Sequence, residues 1–319
     1  AEYYLLAIEA KPLNEEEKFK QNEIKQFLAN RTFQKWIDKE EWSKVTNAIY
    51  NEVKENKRKL DDENFKLLLF AENQKTGRAK YNGILDAYAL LEKYDKQKTL
   101  TLESQIDQGY AAEKLGGYKR SKIYYRRALK KAKDENVDLI LQLVVELERL
   151  YERTKDHKGL VNIYKRAFGA LKKSSRPKKE LRTYAYLIGY HQFFHLKQNK
   201  NAKIWLLRSD GGGSSTQELQ SAYWIAKLDQ LAKKPEMALK RLKELSGRKI
   251  SEKSSLYVQI HFELGTLYHL KENWDSALKH YRFAAKANAP KEFKKIQSAA
   301  EENAKEISDY LKSIEAAQG

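Results

Sequence analysis

Six histidines, no cysteine and a single methionine in 319 residues limit the chemistry open to this chain. Without thiols there is no disulfide, no thiolate nucleophile and no cysteine-ligated metal. His191 and His195 stand four apart, which puts both imidazoles on one face of a helix. A zinc site needs a third ligand, and a metalloprotease helix carries a glutamate between its histidines. Here the intervening residues are Gln192, Phe193 and Phe194, and spacing offers no third ligand. The pair is therefore expected to pack, and no metal or cofactor is expected. His261, His269 and His280, spread along the last repeat, are read as surface or packing residues.

Other reactive groupings are missing as well. Gly211–Gly213 is not followed by the Lys-Ser/Thr pair of a phosphate loop, and Gly116-Gly117 reads as a turn. Carboxylates alternate with lysines in the manner of solvated helix faces. No Ser/His/Asp grouping emerges, so an enzyme is not expected.

Charge is the stronger signal. Lys plus Arg total 62 against 44 Asp plus Glu, a net charge of +18. Such a field attracts polyanions, whether nucleic acid, anionic lipid or an acidic polymer. In Tyr118–Lys133, a helical wheel gathers Ser121, Tyr124, Tyr125, Ala128, Leu129 and Ala132 on one side. The other side carries Lys119, Arg120, Lys122, Arg126, Arg127, Lys130, Lys131 and Lys133, with no acid in the segment. Lys119, Arg120, Arg126, Arg127, Lys130 and Lys131 are the candidate polyanion contacts, with plain solubility the alternative role. A second basic run spans residues 172–179.

The elements that must carry these residues are helices. Four prolines and 14 glycines leave little punctuation for an all-β chain, while 41% apolar and 33% charged residues suit helices with solvated outer faces. No apolar run reaches the roughly 18 residues of a membrane span. Residues 256–289 show a repeating unit. Leu264, Gly265 and Tyr268 share a face of one helix, a polar turn follows at 271–273, and Ala277, Tyr281 and Ala284 mark a second helix. Small residues belong where two helices cross closely. The offsets recur as Gly109 with Ser121, Tyr125 and Ala128, and as Glu148 with Leu160, Tyr164 and Ala167. Weaker copies centre on Gly189 and Ala226, and by spacing alone on Phe33 and Ala71. The centres lie about 37–41 residues apart.

This pattern resembles the tetratricopeptide-repeat (TPR) family, with a unit longer than that family's 34 residues. The resemblance implies an all-α, right-handed α-solenoid of about seven helix pairs with a C-terminal capping helix. Residues 1–20 are expected as an arm or short helix, 21–207 and 218–290 as repeats, 208–217 as a flexible Gly/Ser connector, and 291–319 as the cap. In that family ligands contact the first helix of each hairpin. Carried over, the partner-binding groove is Tyr110, Arg149, Tyr186, Tyr190, Phe193, Gln220, Tyr223, Lys227, Gln259, Phe262 and His269, with packing between repeats as the alternative role for the rings. The implied function is a non-catalytic scaffold holding a protein or peptide. A polyanion-binding repeat protein, nucleic acid included but not favoured, and the helical domain of a larger enzyme are the alternatives. The chain opens Ala1-Glu2 without methionine. That fits a mature exported, periplasmic chain, with a cytoplasmic setting as the alternative.

Overall fold

Four of the helix pairs are closed by a turn in which one residue takes a left-handed backbone. Glycine fills this position in one turn, Gly116 (φ 82°), but Lys155, Lys233 and Glu272 adopt φ of 51°, 57° and 58° at the equivalent place. What holds them is the same pair of bonds that ends a helix in a Schellman motif. Gly117 N–H donates to Ala112 O at 2.8 Å, Asp156 to Tyr151 O at 3.0 Å, Lys234 to Asp229 O at 2.9 Å and Asn273 to Tyr268 O at 3.0 Å. The next helix then starts at once, capped by Asp156 on Gly159 N–H (2.9 Å) or by Asn273 on Ser276 N–H (3.2 Å). A tight turn of this kind makes consecutive helices antiparallel neighbours.

The computed structural model describes residues 34–56, 60–288 and 290–318. All regular structure among the described residues is helical, and none of its helices is long and apolar enough to cross a membrane. The expected arm at 1–20 and the repeat centre at Phe33 lie outside the described residues. The chain divides into two compact units, residues 1–132 and 133–319.

The first unit contains α1 (Trp42–Lys54), α2 (Asp62–Gln74), α3 (Gly77–Tyr94), the single turn α4 (Lys96–Thr99), α5 (Leu102–Lys114) and α6 (Tyr118–Lys131). Ala71 and Ala87 are fully buried beside Leu68, Ile84 and Leu91, so the hairpin predicted from period alone at Ala71 is present as α2 and α3.

The second unit runs α7 (Val137–Arg153), α8 (His157–Lys173), α9 (Lys178–Phe194), α10 (Asn199–Ser209), α11 (Thr216–Leu231), α12 (Pro235–Ser246), α13 (Ser255–His269), α14 (Trp274–Lys286) and, after a short 3-10 turn, α15 (Lys294–Gln318). Each helix packs on the next, giving four stacked hairpins and a terminal helix. That last helix covers α14 as expected, burying Ala300, Ala304 and Ile307 against Ala277, Tyr281 and Ala284.

The predicted small residues lie at the helix crossings. Tyr281, 2% exposed, lies across Gly265, and Tyr125 lies across Gly109. A methyl on Gly265 would stand 2.6 Å from Tyr281 Cδ1, and one on Gly109 2.8 Å from Tyr125 Cδ1. In the Glu148 repeat the same offset is used differently: Tyr164 O–H donates to Glu148 Oε1 at 2.6 Å. Burial and this carboxylate together push the Tyr164 hydroxyl well above its ordinary pKa.

The Gly/Ser stretch, expected to be a flexible connector, carries specific contacts. Arg248 binds Asp210 at 2.8 Å, Arg182 binds Glu218 at 2.8 Å, and Ser215 with Glu218 forms the capping box that starts α11. Side-chain atoms of Arg182 and Glu218 occupy the space where a Cβ on Gly211 would sit. Glycine here serves close approach.

Alanine has the better helix propensity, by about 1 kcal/mol, yet Gly265→Ala must push a buried ring aside. Overpacking of that kind costs about 1–3 kcal/mol. Gly265→Ala is therefore expected to gain nothing, and Gly265→Val to lower the urea unfolding midpoint clearly. A stabilised valine variant would show that the Tyr281 contact does not set the crossing.

Candidate functional site

Of the eleven expected groove residues, three from α9 gather into one surface. Tyr186 and Tyr190 lie one helical turn apart with ring centroids 6.0 Å from each other, and Tyr190 meets Phe194 at 4.7 Å. Phe193 and Phe194 both reach Trp224 on α11, at 5.7 and 4.7 Å. These five rings are half-buried, so each keeps part of its surface in water while its neighbours hold its rotamer. Burial, then Tyr190, push the Tyr186 hydroxyl up to about 12. It stays a neutral donor across the physiological range.

Trp224 was not among the expected groove residues. Its signal was its place beside Tyr223 on the first helix of the next hairpin.

Tyr223 is a correction. It is 4% exposed, packed with Ala226, Leu242, Ile260 and Leu264, and burial raises its hydroxyl well above the ordinary value. It is a core residue and not a rung of a groove. Phe262 likewise packs towards α14 and α15, 5.8 Å from Tyr281, the packing role given as the alternative for these rings. His269 sits 5.3 Å from Trp274. Lys227 is neutralised across the hairpins by Glu263 at 2.6 Å, and Gln230 binds that same carboxylate at 2.9 Å. Arg149 is exposed and paired with Glu146 on its own helix. Gln220 and Gln259 are half-buried on α11 and α13.

In the first unit, Tyr110 is exposed, 5.8 Å from Tyr81 and with Lys114 Nζ 5.2 Å from its ring centre.

The basic helix keeps its predicted faces. Ser121, Tyr125, Ala128 and Leu129 are buried, while Lys119, Arg120, Arg126, Arg127, Lys130 and Lys131 are all exposed. The second basic run differs: Lys173 binds Asp134, and Arg176 binds both Asp138 and Glu180. Two of its five cations are thus answered from within the unit.

The histidines are not scattered. His157, the first residue of α8, comes within 3.1 Å of His191, Nδ1 to Nδ1, and stacks on His195 with ring centroids 3.7 Å apart. The expectation that His191 and His195 lack a third imidazole is therefore corrected. The signal was present in the sequence, because His157 precedes His195 by about one repeat period, and consecutive hairpin turns stack. Burial, then the neighbouring His157 and His195, lower His191 to about 4, which keeps it neutral near pH 7. A second pair, His261 and His280, meets Nδ1 to Nδ1 at 2.9 Å.

No family model matches the chain, and no curated protein matches it. Solved structures similar to it include YrrB, titled a TPR protein with an unusual peptide-binding site. It is 14% identical, with 68% of this chain and 98% of that one covered, at a TM-score of 0.42. BtubC from P. vanneervenii is 16% identical over 68% of this chain and 92% of that one, at 0.43. The apo form of RapI is 14% identical over 81% and 75%, at 0.44. With TM-scores below 0.5, these likenesses decide nothing further, and the fold rests on the helix order and crossings above.

The His261–His280 pair makes stability depend on pH. Burial holds both at about 4, with Lys279 and Lys243 adding to the shift of His280. The rings of Tyr257, Tyr268 and Phe283 face the pair. An unfolded imidazole titrates near 6.5, so between about pH 6.5 and 4 the unfolded chain takes up protons that the folded chain refuses. Stability therefore falls as pH drops through that window. The melting temperature of a His261→Gln/His280→Gln variant is expected to vary less over it than wild type, and equal slopes would remove the pair as a cause.

Proposed function

We propose that the chain is a protein-interaction scaffold that holds an extended peptide or a partner helix on the rings of α9 and α11. The observation that carries this reading is the unbroken run from Tyr186 through Tyr190 and Phe194 to Trp224, half-buried and spanning two hairpins. Rings locked by neighbours lose little freedom on binding, and aromatic anchors of this type dominate interface energetics. Apolar side chains of the ligand would sit between the rings. Arg149 on the preceding α7 and Gln220 on α11 itself would meet its polar groups. Nothing in this reading requires catalysis, and no nucleophile–base grouping is part of it.

A second reading is supported by α6. Six exposed cations on one helix, with no acid within Tyr118–Lys131, form a row suited to phosphates or other anionic polymers. It can coexist with the first, since the two surfaces use different residues.

Selection of binding peptides from a random display library tests the aromatic surface. Tyr190→Ala and Phe194→Ala are expected to cost such peptides about 1–3 kcal/mol each. Tyr223→Ala is expected to lower the melting temperature instead. Peptides indifferent to Tyr190 and Phe194 would remove the surface from consideration. For the basic row, a variant with Arg120, Arg126, Arg127 and Lys131 changed to Glu should bind heparin and duplex DNA far more weakly, with a flatter salt dependence. Melting should shift by no more than about 0.5 kcal/mol per substitution. Unaltered binding would leave solubility as the role of these residues.

A further inference from the structure

We infer that His157, His191 and His195 are the ligands of one divalent transition-metal ion of the zinc class, which clamps the turn between α7 and α8 to the C-terminal end of α9. Each imidazole offers one nitrogen, and the three nitrogens lie within 4.8 Å of one another. Among the described residues no other group of three His or carboxylate side chains converges in this way.

The spacing fits the ion. With metal–nitrogen bonds of about 2.0–2.1 Å and a tetrahedral arrangement, two ligating nitrogens stand about 3.3 Å apart. His157 and His191 already meet at 3.1 Å. The third nitrogen needs a turn of His195 about its side-chain torsions, which gives up the stack on His157 and displaces no buried group, because His195 is exposed at the helix end. His191 and His157 are held more firmly. His191 is buried within α9, and the α8 start is pinned by the Asp156 cap on Gly159 N–H.

A plain hydrogen-bonded pair accounts for less. His261 and His280 show what two buried histidines do alone: they meet at 2.9 Å with no third imidazole against them. At the other site a third imidazole arrives from a different hairpin turn and lies flat against the first at 3.7 Å.

The donor set selects the ion. Three nitrogens, with no thiolate and no carboxylate, suit zinc, copper, nickel or cobalt and disfavour magnesium and calcium. The C-terminal end of α9 adds the negative end of a helix dipole, which favours a cation there and offsets part of the repulsion from nearby Lys197. Because His195 faces solvent, the fourth position of the ion would be open, beside the Tyr190 ring that lies 5.8 Å from His195. This inference does not depend on peptide binding by the aromatic surface.

The probe is cobalt(II), titrated alone into the whole chain after chelator treatment and dialysis. Binding is expected to saturate at one equivalent with visible d–d absorption, and one equivalent of zinc should abolish the band. His195→Ala, an exposed position, should retain the wild-type circular dichroism spectrum and weaken binding at least about tenfold, as should His157→Ala. His261→Gln should leave stoichiometry and affinity unchanged. Zinc should raise the melting temperature of wild type and not of His195→Ala. Absence of a saturable band, or a band of equal affinity in folded His195→Ala, would overturn the assignment.

Discussion

The contact on which the hairpins depend is a tyrosine ring laid over the residue sixteen positions before it. Tyr125 covers Gly109 and Tyr281 covers Gly265, each leaving no room for a methyl group. Glycine is accepted in mid-helix, against its propensity, because only a missing side chain lets the ring fill the crossing. Where the earlier residue is Glu148, the ring is fully buried and the hydroxyl finds the carboxylate instead. One geometric demand is thus met in two chemical ways. In these three hairpins the ring fixes which side of the first helix turns inward, while in the Gly189 hairpin Leu206 takes that place.

Ion pairs add to the apolar contacts between hairpins. Asp229 is fully buried and is held by Lys203 from the preceding hairpin (α10) and by Arg241 from its own (α12). A lone buried carboxylate would be costly, and two cations with good geometry make it tolerable. Glu263 with Lys227, Glu218 with Arg182 and Asp210 with Arg248 repeat the arrangement at about one-repeat separations. Such bridges require a particular register between neighbours, where an apolar seam would allow sliding. They also explain why Lys227, placed in a binding groove by its position, is answered within the fold.

Much of this was legible in the sequence, and the failures share a cause. Offsets along one hairpin, such as Gly265 to Ala277 and Tyr281, are set by local helix geometry and could be read directly. So could the two faces of α6, because a wheel needs only the helical period. What could not be read were relations between hairpins. Tyr223 and Phe262 occupy groove offsets, yet their rings turn into the core because the neighbouring hairpins reach them there. Glycines 211 and 213 look like flexibility and are instead clearance for Arg182 and Glu218. His157 was overlooked for the same reason: its partners belong to another turn, about one period away.

The distribution of acids turns a net charge into a local one. In the second unit Asp134, Asp138, Asp210, Glu218, Asp229 and Glu263 each face a lysine or arginine from another helix or turn. Those acids are committed to holding neighbours in register and do not screen the surface generally. The segment Tyr118–Lys131 has no acid of its own, and its cations occupy the face that packing leaves to solvent. Had the surplus been spread evenly, exposed charges a Debye length apart would largely be screened from one another. Packed along fourteen residues of one helix, they act together on any polyanion that approaches. The aromatic strip on α9 and α11 has the opposite character, since it is built from uncharged rings. The repeat therefore yields two chemically distinct surfaces from one packing rule, because side chains that point away from the crossings are free to differ.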